Sequence, residues 1–290
     1  MAIARHPETA FFLAGCALAL IAAALGVSAG PAALIAAAGL AAAAGIPHGA
    51  LDPLAARQAG LVRSPARFAV FLTVYTGLAL AVIAAWLVAP VICLAAFLII
   101  SAWHFGGDWF EARPAARWIA GLSLLSLPAA FHGGEVADIY AILSGERART
   151  IAAAQTTLAP LFAAGLSGCA LAAASRSRRA GLEIAAAGIA ALALHPLIFF
   201  ALYFALLHSA RHFLSLWRGA RERGAFIRAG VFYTLVSFAA AGIAAAVLLR
   251  GGAPEAAALQ LIFIGLAALT LPHMALIEWM RRRPAPLPPA

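Results

Sequence analysis

Apolar residues run along this chain in blocks of about 16 to 25, broken by short polar, Pro or Gly interruptions. A helix of roughly 20 apolar residues crosses a ~30 Å hydrocarbon core, so the pattern predicts helices that span a membrane. The candidate spans are 10–28, 31–50, 67–89, 90–110, 115–132, 151–174, 181–195, 197–217, 226–249 and 255–279. Turns fall at Gly30-Pro31, Pro90, Pro114, Pro196 and Gly251-Gly252, where the chain is least able to continue a helix. The seventh block is short, and the eighth follows it closely across "LHPL". The expected architecture is therefore an all-α polytopic bundle of eight to ten transmembrane helices. One domain covers residues 1–283, and a Pro-rich, disordered tail covers 284–290. The first block, "AFFLAGCALALIAAALGVSAG", is similar to a signal peptide, but the blocks after it favour a retained first helix.

Composition strengthens this picture. The chain is 64% hydrophobic and 11% charged, against roughly 25% charged in soluble domains. A net charge of +9 could suggest nucleic acid, but the 20 basic residues are all Arg and cluster between apolar blocks, which is the pattern of membrane orientation. With ten spans and the N-terminus inside, sixteen arginines fall in inner segments. Three (Arg147, Arg149 and Arg250) fall in outer ones, and Arg211 remains within a span. The expectation is a multi-pass protein of the cell (inner) membrane, with both termini cytoplasmic and no nucleic-acid partner. Cys16, Cys93 and Cys169 lie isolated in apolar blocks without disulfide or zinc spacing.

The histidines change the question from topology to chemistry. His48, His104, His208, His212 and His273 all lie near inner span ends, six to ten residues before a basic boundary. At ~1.5 Å rise per residue, five imidazoles on four helices share one depth. Three spacings repeat: "HGALD" (His48, Asp52), "HFGGD" (His104, Asp108) and "HSARH" (His208, His212). Positions i and i+4 share a helix face. Neutral imidazole is a common ligand for Fe, Zn and Cu, and a carboxylate on the far ring nitrogen orients such a ligand. Asp52 and Asp108 are accordingly expected to orient ligands, Asp52 acting on His48 one turn before it. His273 is either a further ligand or a helix-packing group. His132 and His195 fall at outer span ends and His6 in the inner tail. Arg211 is expected to pair with Asp52, Asp108 or Glu278, or to snorkel to the inner interface.

Aromatic residues crowd the same depth: Trp103, Phe105, Trp109 and Phe110 near His104, and Phe199, Phe200, Tyr203, Phe204, Phe213 and Trp217 near His208 and His212. They form either an interfacial belt or a flat apolar channel. The chain carries no HExxH pair, no GxSxG elbow and no HxxHH cluster. With no Lys it cannot itself hold retinal as a Schiff base.

In this order, "GIPHGALD", "SAWHFGGDW", "YFALLHSARHF" and "LPHM" resemble the bacterial and archaeal Brp/Blh-type β-carotene 15,15′-dioxygenases, over about residues 45 to 275. The resemblance implies a non-haem Fe(II) enzyme. It would cleave β-carotene with O₂ at the central double bond into two all-trans-retinal molecules and pass product to a rhodopsin. Its iron ligands would be His48, His104, His208 and His212, with His273 a possible fifth ligand or a substrate-side group. Two alternatives use the same histidines: a membrane transporter of metal ions or protons, and a bis-His haem protein.

Overall fold

Proline punctuates the helices of this chain. Its fixed φ and missing N–H suit the first turn of a helix, and Pro7, Pro31, Pro65, Pro90, Pro114, Pro196 and Pro254 each open one. The computed structural model describes residues 6–248 and 254–282. The predicted tail at 284–290 and the Gly251-Gly252 turn lie outside the described residues, as do Arg5, Arg250 and Arg283.

The helices are α1 (Pro7–Ala24), α2 (Pro31–Ala50), α3 (Asp52–Gln58), α4 (Pro65–Val88), α5 (Pro90–Phe110), α6 (Pro114–Ser126), α7 (Gly133–Ser144), α8 (Arg149–Thr157), α9 (Ala159–Ala174), α10 (Arg178–Ala193), α11 (Pro196–Ala201), α12 (Ala210–Gly219), α13 (Arg223–Leu248) and α14 (Pro254–Arg281). A π-helical segment, Leu202–Ser209, joins α11 to α12 without a break. No strand occurs among the described residues. The protein is an all-α, multi-pass membrane bundle.

Each of the ten predicted spans contains a helix, but they are not equally long. Among the described residues, seven are long and apolar enough to cross a membrane: Pro7–Ala24, Pro31–Gln58, Pro65–Val88, Pro90–Phe110, Pro196–Gly219, Arg223–Ile243 and Ala256–Arg281. An eighth is reached if α8 and α9, bent by 58° at Leu158, count as one span. The remaining predicted spans, 115–132 and 181–195, hold α6 with 13 residues and α10 with 16. A 3-10 turn at Leu127–Ala130 follows α6 directly, and Leu194, extended before His195-Pro196, closes α10. The helix α7 lies where the hydropathy pattern put no span.

Glycine sets the closest helix contact. A side chain at Gly106 of α5 would meet the backbone carbonyl of Arg117, and one at Gly121 of α6 would meet that of Ala102. Small residues of this kind let membrane helices approach backbone to backbone, and here they fix the level of His104 and Asp108. The Gly121→Ala variant should therefore lower stability by on the order of 1 kcal/mol through overpacking, read as a fall in the thermal midpoint of the detergent-solubilised protein.

A second device is a buried charge cluster. Glu183 of α10 is fully buried, and donors from three other helices and from α10 itself reach it. Its carboxylate accepts from Thr9 (2.5 Å), Trp109 (2.8 Å), Arg179 (3.0 Å) and Arg211 (2.9 Å). A carboxylate removed from water needs such pairing to stay ionised. The cluster ties α1, α5, α10 and α12 together beside the histidines.

Candidate metal centre

The histidines come from the C-terminal third of α2, α5 and α14 and from the second half of the α11–α12 span. Five of them meet. The His48 ring lies 6.3 Å from that of His104, 5.0 Å from His208, 4.4 Å from His212 and 4.7 Å from His273, measured between centroids. His104, His208 and His273 close the group at 4.6 and 5.2 Å. The four predicted ligands are thus together, and His273, left undecided by its sequence context, is among them.

The nitrogen atoms are more informative than the rings. His104 Nε2 lies 3.0 Å from His208 Nε2, and His48 Nε2 lies 3.3 Å from His273 Nε2. Two imidazoles on one ion at ~2.1 Å sit about 3.0 Å apart at a right angle and about 3.4 Å apart at a tetrahedral one. Ligand atoms of His48, His104 and His273 all lie within 4.8 Å of one another. Asp52, His212 and His273 meet the same limit, but both Asp52 oxygens are already engaged, so the imidazole set is the better cage. His48 Nδ1, His104 Nδ1 and His212 Nε2 are buried without a hydrogen-bond partner. Buried polar atoms are normally satisfied, so the unpaired His212 Nε2 fits a site built around a cation, whereas the Nδ1 atoms of His48 and His104 lie on the ring side away from the facing Nε2 atoms.

Two carboxylates orient the cluster, though not on the histidines that the i,i+4 spacing indicates. Asp108 sits on His208 Nδ1 at 3.1 and 3.2 Å, and Asp52 sits on His273 Nδ1 at 2.8 and 3.0 Å. An ionised carboxylate only accepts, so Nδ1 carries the proton in both rings and Nε2 turns a lone pair inward. Asp52 bonds to His273 of α14 and not to His48: α2 stops at Ala50, and Asp52 opens a short helix of its own. Asp108 stays on the helix of His104 but faces across the bundle to the π segment.

Each carboxylate also accepts from a tyrosine at 2.7 Å, Asp108 from Tyr203 and Asp52 from Tyr75. The site therefore holds two parallel Tyr–Asp–His relays, His208–Asp108–Tyr203 and His273–Asp52–Tyr75. Neither tyrosine is marked by the i,i+4 rule. Tyr203 and His208 are five residues apart, which on an α-helix separates them by roughly 140°. The π segment bonds i to i+5 and brings both to one carboxylate. Arg211 touches Asp108 only at its backbone carbonyl (3.2 Å) and makes its side-chain ion pair with Glu183, not with Asp52, Asp108 or Glu278.

The remaining histidines lie elsewhere. His6 contacts Glu8 at 3.1 Å, His132 lies 3.7 Å from Glu135, and the His195 ring accepts from the N–H of Leu197. The aromatics divide between the two expected roles. Phe105, Phe200 and Phe204 line a cavity with His48, His104, His208 and His273, and that cavity adjoins a second, almost wholly apolar one bounded by Leu94, Leu125 and Phe263. Trp109 instead serves Glu183, Trp103 lies under the Arg117 guanidinium at 3.9 Å, and Trp217 packs on Phe213 and Phe226.

Fold and cluster together define an integral membrane protein with a buried multi-histidine centre flanked by hydrocarbon-lined cavities. The family model for beta-carotene 15,15′-dioxygenase matches residues 39–281, which contain all five histidines and both carboxylates. A relative from an uncultured marine bacterium, 66A03, described as beta-carotene 15,15′-dioxygenase, is 33% identical over 254 residues, covering 82% of this chain and 90% of its own. The chain belongs to the β-carotene 15,15′-dioxygenase family. No solved structure matches it.

Proposed function

We propose that this protein cleaves β-carotene with O₂ at the central 15,15′ double bond, giving two molecules of all-trans-retinal, and that it does so with Fe(II) held by the histidine cluster. The observation that carries the proposal is the convergence of buried imidazoles at ligand-pair spacing beside cavities lined by hydrocarbon. The donors are His48, His104, His208 and His273 through their mutually facing Nε2 atoms, with His212 against His48. When bound, iron in an all-imidazole site keeps its positive charge and supplies the activation of O₂ that an unaided polyene lacks.

The chain's own residues do the rest. Asp108 and Asp52 hold two imidazoles in the tautomer that presents Nε2 inward. Phe105 packs its ring 4.8 Å from that of His208 and, with Phe204, keeps water from the site. Aromatic faces also favour any cationic character that develops on the polyene. A bilayer-soluble substrate suits a site enclosed by membrane helices.

The alternatives fit less well. A bis-His haem needs two Nε2 atoms on opposite sides of a porphyrin, separated by about twice the ~2 Å metal–nitrogen distance. The facing pairs here are closer, and the surrounding cavity is narrow. A conducting path needs polar groups on both sides of the site, whereas the adjoining cavity is lined mainly by Leu, Phe, Val, Ile and Pro, with Ser101 and Tyr140 its polar side chains.

The single domain of 1–283 is read as lying in the cell membrane with both termini cytoplasmic, on the arginine bias, and a rhodopsin is the expected acceptor of the product. Expression in cells that make β-carotene should bleach them and yield retinal, and the purified protein should contain iron without a Soret band. Persisting colour together with metal uptake into proteoliposomes would instead favour transport.

A further inference from the structure

The histidine cluster has a second opening. A groove of about 320 Å³ runs between α1, α2 and the segment from the π helix into α12, lined by Glu8, Phe11, Ala44, His48, Ser209 and Phe213 among others. Phe11 and Phe213 are 64% and 44% exposed, so on a membrane helix this side faces lipid. The cavity lined by Phe105, Phe200 and Phe204 reaches His48 as well. His48 therefore stands where an internal cavity and a lipid-facing groove meet.

Ser209 is unusual within that groove. It is 7% exposed, and its Oγ is buried without a partner. A serine on a membrane helix ordinarily bonds back to the carbonyl four residues before it, but Ser209 closes the π segment and makes no such bond. It shares the groove lining with His48, so an unused hydroxyl donor lies beside the centre on a wall whose other polar side chains are Glu8 and His48. An unmet buried donor costs free energy unless something accepts from it.

Resting on the cleavage proposed above, we infer that this groove seats one half of the cleaved polyene and that Ser209 Oγ donates to the aldehyde oxygen created at its inner end. The chemistry matches on both counts. The product half is a hydrocarbon chain with one acceptor atom at its tip, and the groove is a largely apolar wall with one free hydroxyl donor, its other polar lining side chains being the Glu8 carboxyl and the His48 ring. The intact carotenoid hydrocarbon has no such acceptor, so the hydroxyl favours product over substrate and sets how long product stays.

The test is binding of all-trans-retinal, and of the matching hydrocarbon that lacks the carbonyl, to the purified full-length protein in nanodiscs, read by tryptophan quenching. Ser209→Ala should weaken retinal by several-fold, up to about tenfold, and leave the hydrocarbon unchanged. Ala210→Trp, and Ala44→Phe from the opposite wall, should abolish saturable binding of both. Two variants on different helices guard against misfolding of either one. Wild-type affinity for retinal in Ser209→Ala would overturn the hydroxyl's role, and wild-type affinity in both bulky variants would overturn the groove. A wild-type protein that cleaves β-carotene but shows no saturable retinal binding defeats this inference alone. A protein that binds retinal here but never bleaches β-carotene defeats only the proposed reaction.

Discussion

Replacing His208 or His273 with alanine should empty the centre of iron and reduce retinal formation by roughly a thousandfold or more. A metal that contributes several kcal/mol of transition-state stabilisation accounts for a factor of that size, at about 1.4 kcal/mol for each tenfold. These two histidines share every feature that makes a ligand strong. Each Nε2 faces another imidazole nitrogen at 3.0 or 3.3 Å, and each Nδ1 is held by a carboxylate. His212 lacks the second feature, because the carboxylates of Asp108 and Asp52 are bonded to His208 and His273. His212→Ala should consequently lose less iron than His273→Ala. Iron per protein, measured on variants that keep the wild-type elution profile, checks this order. Full iron content in His273→Ala would mean that the set implied by family resemblance, with His212 and without His273, is the right one.

That ordering shows what the sequence carries and what it leaves out. The depth of the site could be read from it, because each histidine precedes a basic boundary by a similar length of helix and helical rise is nearly constant. Partner choice could not. The i,i+4 rule pairs Asp52 with His48, but it assumes an unbroken helix, and the chain breaks at Leu51. For Asp108 the helix is unbroken, yet its carboxylate is drawn to His208 on a neighbour, a tertiary choice outside any local rule. The π segment is equally hidden, since nothing in "LYFALLHS" announces an i+5 register, and without it Tyr203 has no visible reason to serve the site.

One long-range contact is legible in the sequence. Arg211 is the arginine left within a span, and Glu183 is an acidic residue within the short seventh one. Ionisable groups inside a membrane are costly enough that they usually find each other, and these two do, at 2.9 Å. The span count was softer for a related reason. Hydropathy recognises apolar blocks wherever they occur, but α6 and α10 are packed against other helices, so they need not be as long as a helix that meets lipid alone.

Asp108→Asn and Asp52→Asn should each lower metal affinity by about 10- to 100-fold, the usual cost of disturbing a carboxylate behind a ligating histidine. Asparagine keeps the shape of the side chain and can still accept one hydrogen bond, so the loss isolates the charge. A neutral amide no longer stabilises the proton on Nδ1, and its NH₂ can turn toward the ring and favour the wrong tautomer. Tyr203→Phe and Tyr75→Phe remove one donor each but keep the charge, and should cost less than the matching asparagine. The pairing itself can be checked by double-mutant cycles on metal affinity, in which residues that act on each other show non-additive losses. Asp52 should couple to His273 and Asp108 to His208, while Asp52 with His48 and Asp108 with His104 should be close to additive. The reverse pattern would restore the helix-face pairing and remove the two Tyr–Asp–His relays from the account of the site. Thermal unfolding of the metal-free variants separates this from a general loss of structure, because a positioning role shifts metal affinity without an equal shift in the metal-free midpoint.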